Sequence, residues 1–124
     1  MAEPESTAGK YFASLEARDW DALHALLAED VVYEMPQTRE RVVGREPYLR
    51  FNREYPGDWH LRTQRVVTEG RHAAALVDFW IGDDHEPACV WLDFDESGRI
   101  TRITDFWPVP YVPPAGREHL VERY

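Results

Sequence analysis

The sequence predicts an α+β domain in which helices come first and an antiparallel meander of strands follows. Apolar residues recur at helical spacing in the first part of the chain, whereas apolar, strand-forming segments alternate with short turn signals in the second part. A chain of 124 residues suits one domain. We therefore expect a single unit over residues 1–124, with its core at about 5–107 and a proline-rich extension at 108–124.

Three helices are expected. In ESTAGKYFASLEARD the apolar residues fall at i, i+3, i+4 and i+7, which is the spacing of one helical face. Asp19 is a good N-cap for a second helix, whose apolar pattern continues to Glu29 and Asp30. Gly44 leads into the third helix, REPYLRFNREY, which ends at Pro56.

Five strands are expected around these helices. The segment VVYEM is extended and β-branched and is closed by Pro36, which cannot donate to a ladder. A polar loop separates it from the third helix. The other strands are divided by glycine-containing turns, and they are WHLRTQRVV, RHAAALVDFWI, ACVWLDF and RITRITDFW.

The charge balance limits the partners. Fourteen Lys and Arg against twenty-three Asp and Glu give a net charge of -9, which repels phosphate backbones and anionic membranes. The single cysteine, Cys89, cannot form an internal disulfide, as is usual in reducing compartments. We expect a cytoplasmic protein with no nucleic-acid or membrane partner, and the start of the chain shows no secretion signal.

Motifs for cofactors and metals are missing from the sequence. The five histidines form no i, i+4 pair and have no carboxylate at a metal-binding spacing. There is no G-x-S-x-G, no phosphate loop and no G-x-G-x-x-G. The sequence therefore predicts neither a metal site nor a cofactor.

The tripeptide DFW occurs twice, and it supplies the candidate catalytic residues Asp78 and Asp105. In a meander the two strands flank ACVWLDF and run in the same direction, so that both aspartates can face one cavity. Each aspartate shares a strand face with the tryptophan two residues later, Trp80 or Trp107. Apolar surroundings and a second carboxylate raise a carboxyl pKa, so that the pair could divide the roles of acid and base.

Each aspartate also has a structural alternative. Every second residue from Ala73 to Ile81 is apolar, and together these residues form the face of the strand opposite Asp78. If that face packs on the core, Asp78 lies on the outer face. Asp105 could accept backbone N–H bonds at a strand end, or pair with Arg99 or Arg102. The sequence leaves both alternatives open.

Large apolar side chains near these positions are candidates for the walls of a pocket, although such residues more often fill cores. Trp91, with Cys89 and Asp93, is expected on the convex face of the sheet, where it can contribute to a dimer contact. The candidate substrate-binding residues are Tyr33, Met35, Tyr48, Phe51, Trp80 and Trp107.

The order of elements and four phrases resemble the SnoaL-like families of the nuclear transport factor 2-like superfamily. The phrases are RDWDALHALLAEDVVYEMP, VVGREPYLRF, DESGRITRITDFW and the hairpin between them. The resemblance implies a conical fold in which three helices cover a curved, mainly antiparallel sheet and enclose a pocket. It also implies dimers formed through the open sheet face. The extension at 108–124 is then expected to pack on its own domain or on the dimer mate.

The chain is similar in particular to limonene epoxide hydrolases, in which two aspartates joined by an arginine open an epoxide with a water that a tyrosine and an asparagine orient. Asp78, Asp105 and Tyr33 match the two aspartates and the tyrosine. Leu76 stands where the arginine belongs, and no asparagine follows Tyr33 at the matching position.

Two functions are therefore expected from the sequence. The first is a cofactor-independent acid-base enzyme, of isomerase, hydrolase or cyclase type, acting on a small apolar polyketide, terpenoid or steroid-like molecule. The alternative is a ligand-binding or dimerisation module without chemistry.

Overall fold

The computed structural model describes residues 4–124. Its three helices are α1 (Pro4–Ala17), α2 (Trp20–Leu26) and α3 (Arg45–Arg53), and a single 3-10 turn follows at Glu118–Leu120. The six strands are β1 (Leu27–Met35), β2 (Glu40–Val43), β3 (Trp59–Glu69), β4 (His72–Ile81), β5 (Asp84–Phe94) and β6 (Ile100–Phe106).

The strands form one sheet in the order β2-β1-β6-β5-β4-β3. All neighbouring pairs are antiparallel except β1 and β6, which are parallel. Strands β3 to β6 form the expected meander, and β5 lies between the two DFW strands, β4 and β6. The α+β prediction is confirmed, and so is the prediction of three helices packed on a mainly antiparallel sheet.

The core lies between the helices and one face of the sheet, here called the inner face. From α1 it takes Tyr11 and Phe12, and from the central strand β6 it takes Ile100 and Ile103, all of which are buried. Alternate residues of a regular strand face this core, and an irregularity in the pairing of β5 and β6 allows both Ile100 and Ile103, three positions apart, to face it. The other face of the sheet, the outer face, is covered by no helix of the described chain.

Helix α2 starts where the sequence predicts and ends earlier. The Asp19 carboxylate accepts a hydrogen bond from the Ala22 N–H, which confirms the N-cap. The helix ends at Leu26, and Leu27 is already extended as the first residue of β1. The predicted end at Glu29 and Asp30 is wrong, because pairing of β1 with β6 draws this segment into the sheet and overrides its local helical pattern.

The strand β2 was predicted as part of a polar loop. It is a short edge strand with one half-buried residue, Val42, so it lacks the apolar alternation that marks a strand in sequence. Gly44 follows it with φ of 102° and donates its N–H to the Val31 carbonyl at 2.8 Å. This turn into α3 needs a positive φ, and glycine supplies it without strain.

The extension after β6 is irregular apart from its 3-10 turn. Its apolar side chains Val109, Tyr111, Val112 and Leu120 are exposed. In the single chain they are therefore not buried on the domain.

Within the described residues, no helix is long and apolar enough to cross a membrane.

Candidate functional site

A cavity of about 280 Å³ opens between the helices and the inner face of the sheet. Its walls are mostly aromatic, and α1, α3 and all six strands contribute to them. Among the residues selected from sequence, the cavity is lined by Tyr33, Met35, Tyr48, Phe51, Asp105 and Trp107. Two of the selected residues, Asp78 and Trp80, do not line it.

Asp105 is the most buried carboxylate of the cavity. Its Oδ2 accepts a hydrogen bond of 2.5 Å from the Tyr33 hydroxyl, which reaches it from β1. Its Oδ1 is fully buried, and no described residue forms a hydrogen bond with it. The alternatives of a backbone-bonded strand end or an arginine pair do not occur, because Arg102 pairs with Glu34 on the outer face instead. One oxygen of Asp105 is thus held and the other is available.

Burial raises the pKa of Asp105 above its usual value, and the hydrogen bond from Tyr33 opposes this by stabilising the carboxylate. The pKa of Tyr33 is also raised, first by burial and then by the negative charge of Asp105. Tyr33 therefore remains a neutral donor over the physiological range, while burial makes Asp105 a weaker acid than an aspartate in water. Such a carboxyl suits proton transfer.

A ring of tyrosines supports this pair. The hydroxyls of Tyr11 and Tyr48 are hydrogen-bonded to each other in the core. The ring of Tyr33 packs on that of Tyr48 with centroids 4.9 Å apart, and on Phe51 at 5.5 Å. Because these rings are packed on several sides, the Tyr33 hydroxyl is held toward Asp105.

We expect Tyr33→Phe to raise the pKa of Asp105 further, because the change removes the only described hydrogen bond that favours its charged form. It also leaves a buried oxygen without a donor, which costs about 1–3 kcal/mol of folding free energy. Carboxyl NMR titration measures the pKa, and urea unfolding measures the stability. Tyr111→Phe, in the exposed extension, is the control. An unchanged pKa in Tyr33→Phe would show that the hydrogen bond does not form.

Asp78 lies on the outer face of β4, so the prediction that both aspartates face one cavity is wrong. The registers explain why. Asp78 is opposite Pro87 of β5, and Asp105 is opposite Val90 of the same strand. These two partners are three positions apart, and an odd separation along a strand places side chains on opposite faces. The alternative outer position of Asp78 is the one that the structure has.

The surroundings of Asp78 are those of a side chain near the surface. Its carboxylate lies 3.0 Å from Nδ1 of His85, which is exposed. Trp80 is stacked between the rings of His60 and His85, with centroids 5.5 Å and 5.3 Å away. The assignment of Trp80 to the pocket is therefore wrong for the same reason, because Trp80 is two positions from Asp78 and lies on the same face of the strand.

The model of the SnoaL-like domain family matches residues 8–103 of the chain. The chain belongs to this family. A solved structure of a candidate ketosteroid isomerase from Kribbella flavida is 51% identical, covers 98% of this chain and 89% of that one, and has a TM-score of 0.94. Among curated proteins, none matches the sequence.

More distant structures share the fold of this SnoaL-like domain. An NTF-2-like protein of unknown function from Burkholderia xenovorans is 20% identical, covers 98% of this chain and 94% of that one, and has a TM-score of 0.81. An LEH-like epoxide hydrolase from M. tuberculosis is 22% identical, with coverages of 85% and 82% and a TM-score of 0.69.

The cavity of the SnoaL-like domain also contains residues that sequence reasoning missed. Glu86 faces the cavity from β5, opposite Phe79. The segment from Asp84 to Pro87 is charged and contains a proline, so it resembles a turn in sequence, whereas the tight connection between Ile81 and Asp84 makes it the start of the strand. The other missed lining residues include Tyr11, Glu40, Tyr55, Trp59 and Phe79.

The alternation of side chains along β4 was sufficient to identify Phe79. This residue is adjacent to Asp78 and belongs to the apolar face that packs on the core. The spacing of Tyr55 from Tyr48 and Phe51 was a usable signal for Tyr55, which lies just beyond the end of α3. Within residues 4–124, no group of three His, Cys, Asp or Glu side chains is arranged to hold a metal ion.

Proposed function

We propose that this SnoaL-like domain is a cofactor-independent acid-base enzyme in which Asp105 transfers a proton on a small molecule with a largely apolar body. The observation that supports the proposal is the buried, unpartnered Oδ1 of Asp105 inside an aromatic cavity. A carboxyl with a raised pKa in such a place is a common form of catalytic acid or base.

The reaction that suits one carboxylate is an isomerisation. Asp105 would take a proton from a carbon next to a carbonyl, which leaves an enolate, and would return that proton to another carbon of the same molecule. Proton and electrons then balance without a further reactant. Tyr33 would hold the other oxygen of Asp105 throughout, since its hydroxyl donates to Oδ2.

A neutral tyrosine at the cavity could donate to the carbonyl oxygen as its charge develops. Tyr55 is suited to this role, because its side chain lines the cavity and no described residue forms a hydrogen bond with its hydroxyl. The pKa of Tyr55 is raised by burial and by the charges of Asp105 and Glu86, which keeps the hydroxyl protonated.

The size of the cavity limits the substrate. A volume of about 280 Å³ lies just below the range of roughly 300–1,000 Å³ in which drug-sized ligands bind. A compact molecule of one or two rings therefore suits it better than an extended polyketide. The two-aspartate opening of an epoxide is not supported, since Asp78 lies on the outer face with Leu76.

The proposal can be tested by proton exchange in heavy water. The protein is incubated with a panel of small cyclic ketones, including β,γ-unsaturated ones, and deuterium incorporation is followed by NMR. Enzyme-dependent exchange or conversion to the conjugated ketone supports the proposal. Binding of panel members without exchange would instead support the alternative function, a ligand-binding module. The position of Asp78 outside the cavity favours this alternative.

We also propose that the protein forms a homodimer through the outer face of the sheet. Four neighbouring side chains make an apolar outer patch there: Leu76 and Phe106 are both opposite Cys89, and Trp91 follows two positions later on the same face. Trp91 is 50% exposed and Leu76 is 44% exposed in the single chain. A second copy would bury this patch, and the exposed apolar extension could pack on the same mate.

We expect Trp91→Glu to convert the dimer to a monomer, because it places a charge in the centre of the outer patch, where a mate would desolvate it. Light scattering after gel filtration measures the mass. Gln64→Glu makes a similar change in charge at an exposed position beside the irregularity of β3, and it is expected to leave the mass unchanged. A wild-type protein that is already monomeric at high concentration would refute the dimer.

A further inference from the structure

All the charged side chains that line the cavity in the described chain are acidic. Three carboxylates line it, those of Glu40, Glu86 and Asp105. Across residues 4–124, no lysine, arginine or histidine is among the lining residues. A pocket lined by carboxylates without a compensating cation repels anions and attracts cations, and it does so more strongly where water is partly excluded.

The three carboxylates lie at different depths. Asp105 is held inside by Tyr33. Glu86 is half-buried and is the third residue of β5, and Glu40 is exposed as the first residue of β2. Both glutamates are therefore closer to solvent than Asp105, and they reach the cavity from different strands, since β1 and β6 separate β2 from β5. In the described chain neither takes part in a salt bridge, since the neighbouring Arg41 pairs with Glu34 instead.

The aromatic walls add to this preference. Eight of the described lining residues are aromatic, and aromatic ring faces attract organic cations. One of these rings already binds a cation from outside the cavity: Cζ of Arg18 lies 3.4 Å from the ring centroid of Trp59. Arg18 does not line the cavity, so it leaves the charge of the three carboxylates without a facing cation.

We propose that the cavity binds a small organic molecule that carries a protonated or quaternary amine, with the amine beside Glu86 and the apolar body among the aromatic rings. The inference rests on the proposed function in one respect: the amine beside Glu86 would leave the carbonyl end of the molecule beside Asp105. The acidic lining disfavours carboxylated and phosphorylated molecules.

Electrostatic effects on Tyr55 agree with this arrangement. The charges of both Asp105 and Glu86 raise its pKa, which means that its hydroxyl lies within reach of the fields of both carboxylates. A cation bound beside Glu86 would oppose the negative potential of these two carboxylates. It would also favour the ionised form of Asp105, and thus the base that the proposed reaction needs.

Choline and 3,3-dimethylbutan-1-ol test the proposal, because they have the same shape and differ in the replacement of a charged nitrogen by a carbon. Calorimetric titration at pH 7.5 and low salt is expected to give about tenfold tighter binding of choline. Glu86→Gln should reduce the affinity for choline about fivefold and leave the affinity for the alcohol unchanged. Glu69→Gln, with the same charge change at the far end of β3, is the control and should change neither.

Equal or tighter binding of the neutral alcohol would overturn the proposal, and so would a Glu86→Gln variant with an unaltered ratio of the two affinities. Glu40→Gln provides a second variant at an exposed position, where misfolding is not expected. These binding measurements need no turnover, so their outcome is independent of the proton-exchange test. A cation preference without exchange would leave this inference intact and refute the proposed reaction, and exchange without a cation preference would do the reverse.

Discussion

The Asp105→Asn variant is expected to lose proton-exchange activity by a factor of about 10²–10⁴, which is the usual contribution of a positioned acid or base. The amide fills the same space and can still accept from Tyr33, but it cannot take a proton from carbon. Rates of deuterium incorporation in a responsive ketone measure the loss.

Asp78→Asn is the matched control. The substitution is identical and the strand runs in the same direction, but the side chain lies on the outer face beside His85. Its exchange rate is expected to stay within about twofold of that of the wild type, since it does not line the cavity. Equal losses in the two variants would mean that Asp105 acts only through the general stability of the sheet.

The same variant changes the dependence of stability on pH. The pKa of Asp105 is raised in the folded protein, so the folded state binds the proton more tightly than the unfolded state does. The wild type therefore loses stability as the pH rises from the ordinary aspartate pKa through the raised folded value. Asp105→Asn has no such titration, and we expect its stability relative to the wild type to increase over this interval. Urea unfolding at several pH values and one protein concentration measures the difference.

The second large effect concerns stability. Ile103→Ala is expected to cost about 2–5 kcal/mol of unfolding free energy, because it deletes apolar groups from a fully buried site and leaves a cavity. Ile103 lies at the centre of the sheet, opposite Tyr33 of β1 and Leu92 of β5. Its loss also weakens the packing that positions Asp105, two residues further along β6.

Ile103→Val is the graded control and is expected to cost about 0.5–1.5 kcal/mol. Val67→Ala tests an exposed position, where little change is expected. Urea unfolding at a fixed protein concentration measures all three, since association would otherwise shift the apparent stability. A loss below about 1 kcal/mol for Ile103→Ala would contradict the tight packing of the central strand.

The sequence was informative about each strand taken alone. The alternation of side chains correctly grouped Asp105 with Ile103 and Trp107, and Asp78 with Leu76 and Trp80. Patterns of apolar spacing also located all three helices. These features follow from local geometry, which depends on neighbouring residues only.

The register in which neighbouring strands pair could not be predicted from the sequence. Whether Asp78 and Asp105 share a face depends on the registers of two strand pairs, which are set by the turn after Ile81 and by the irregularity between Asp93 and Phe94. Equal tripeptides gave no information about these registers. The edge strand β2 and the lining residue Glu86 were missed for a related reason, because tertiary pairing makes strands of segments that are polar locally.

The odd offset between the two DFW motifs has a consequence for how the protein can evolve. Along β4, changes at Phe79 alter the cavity and changes at Val77 alter the core, whereas changes at Leu76 and Asp78 alter the outer patch and its surroundings. Neighbouring codons thus affect different properties. Selection can therefore alter the cavity and the outer patch separately, because a mutation on one face of β4 leaves the side chains of the other face unchanged.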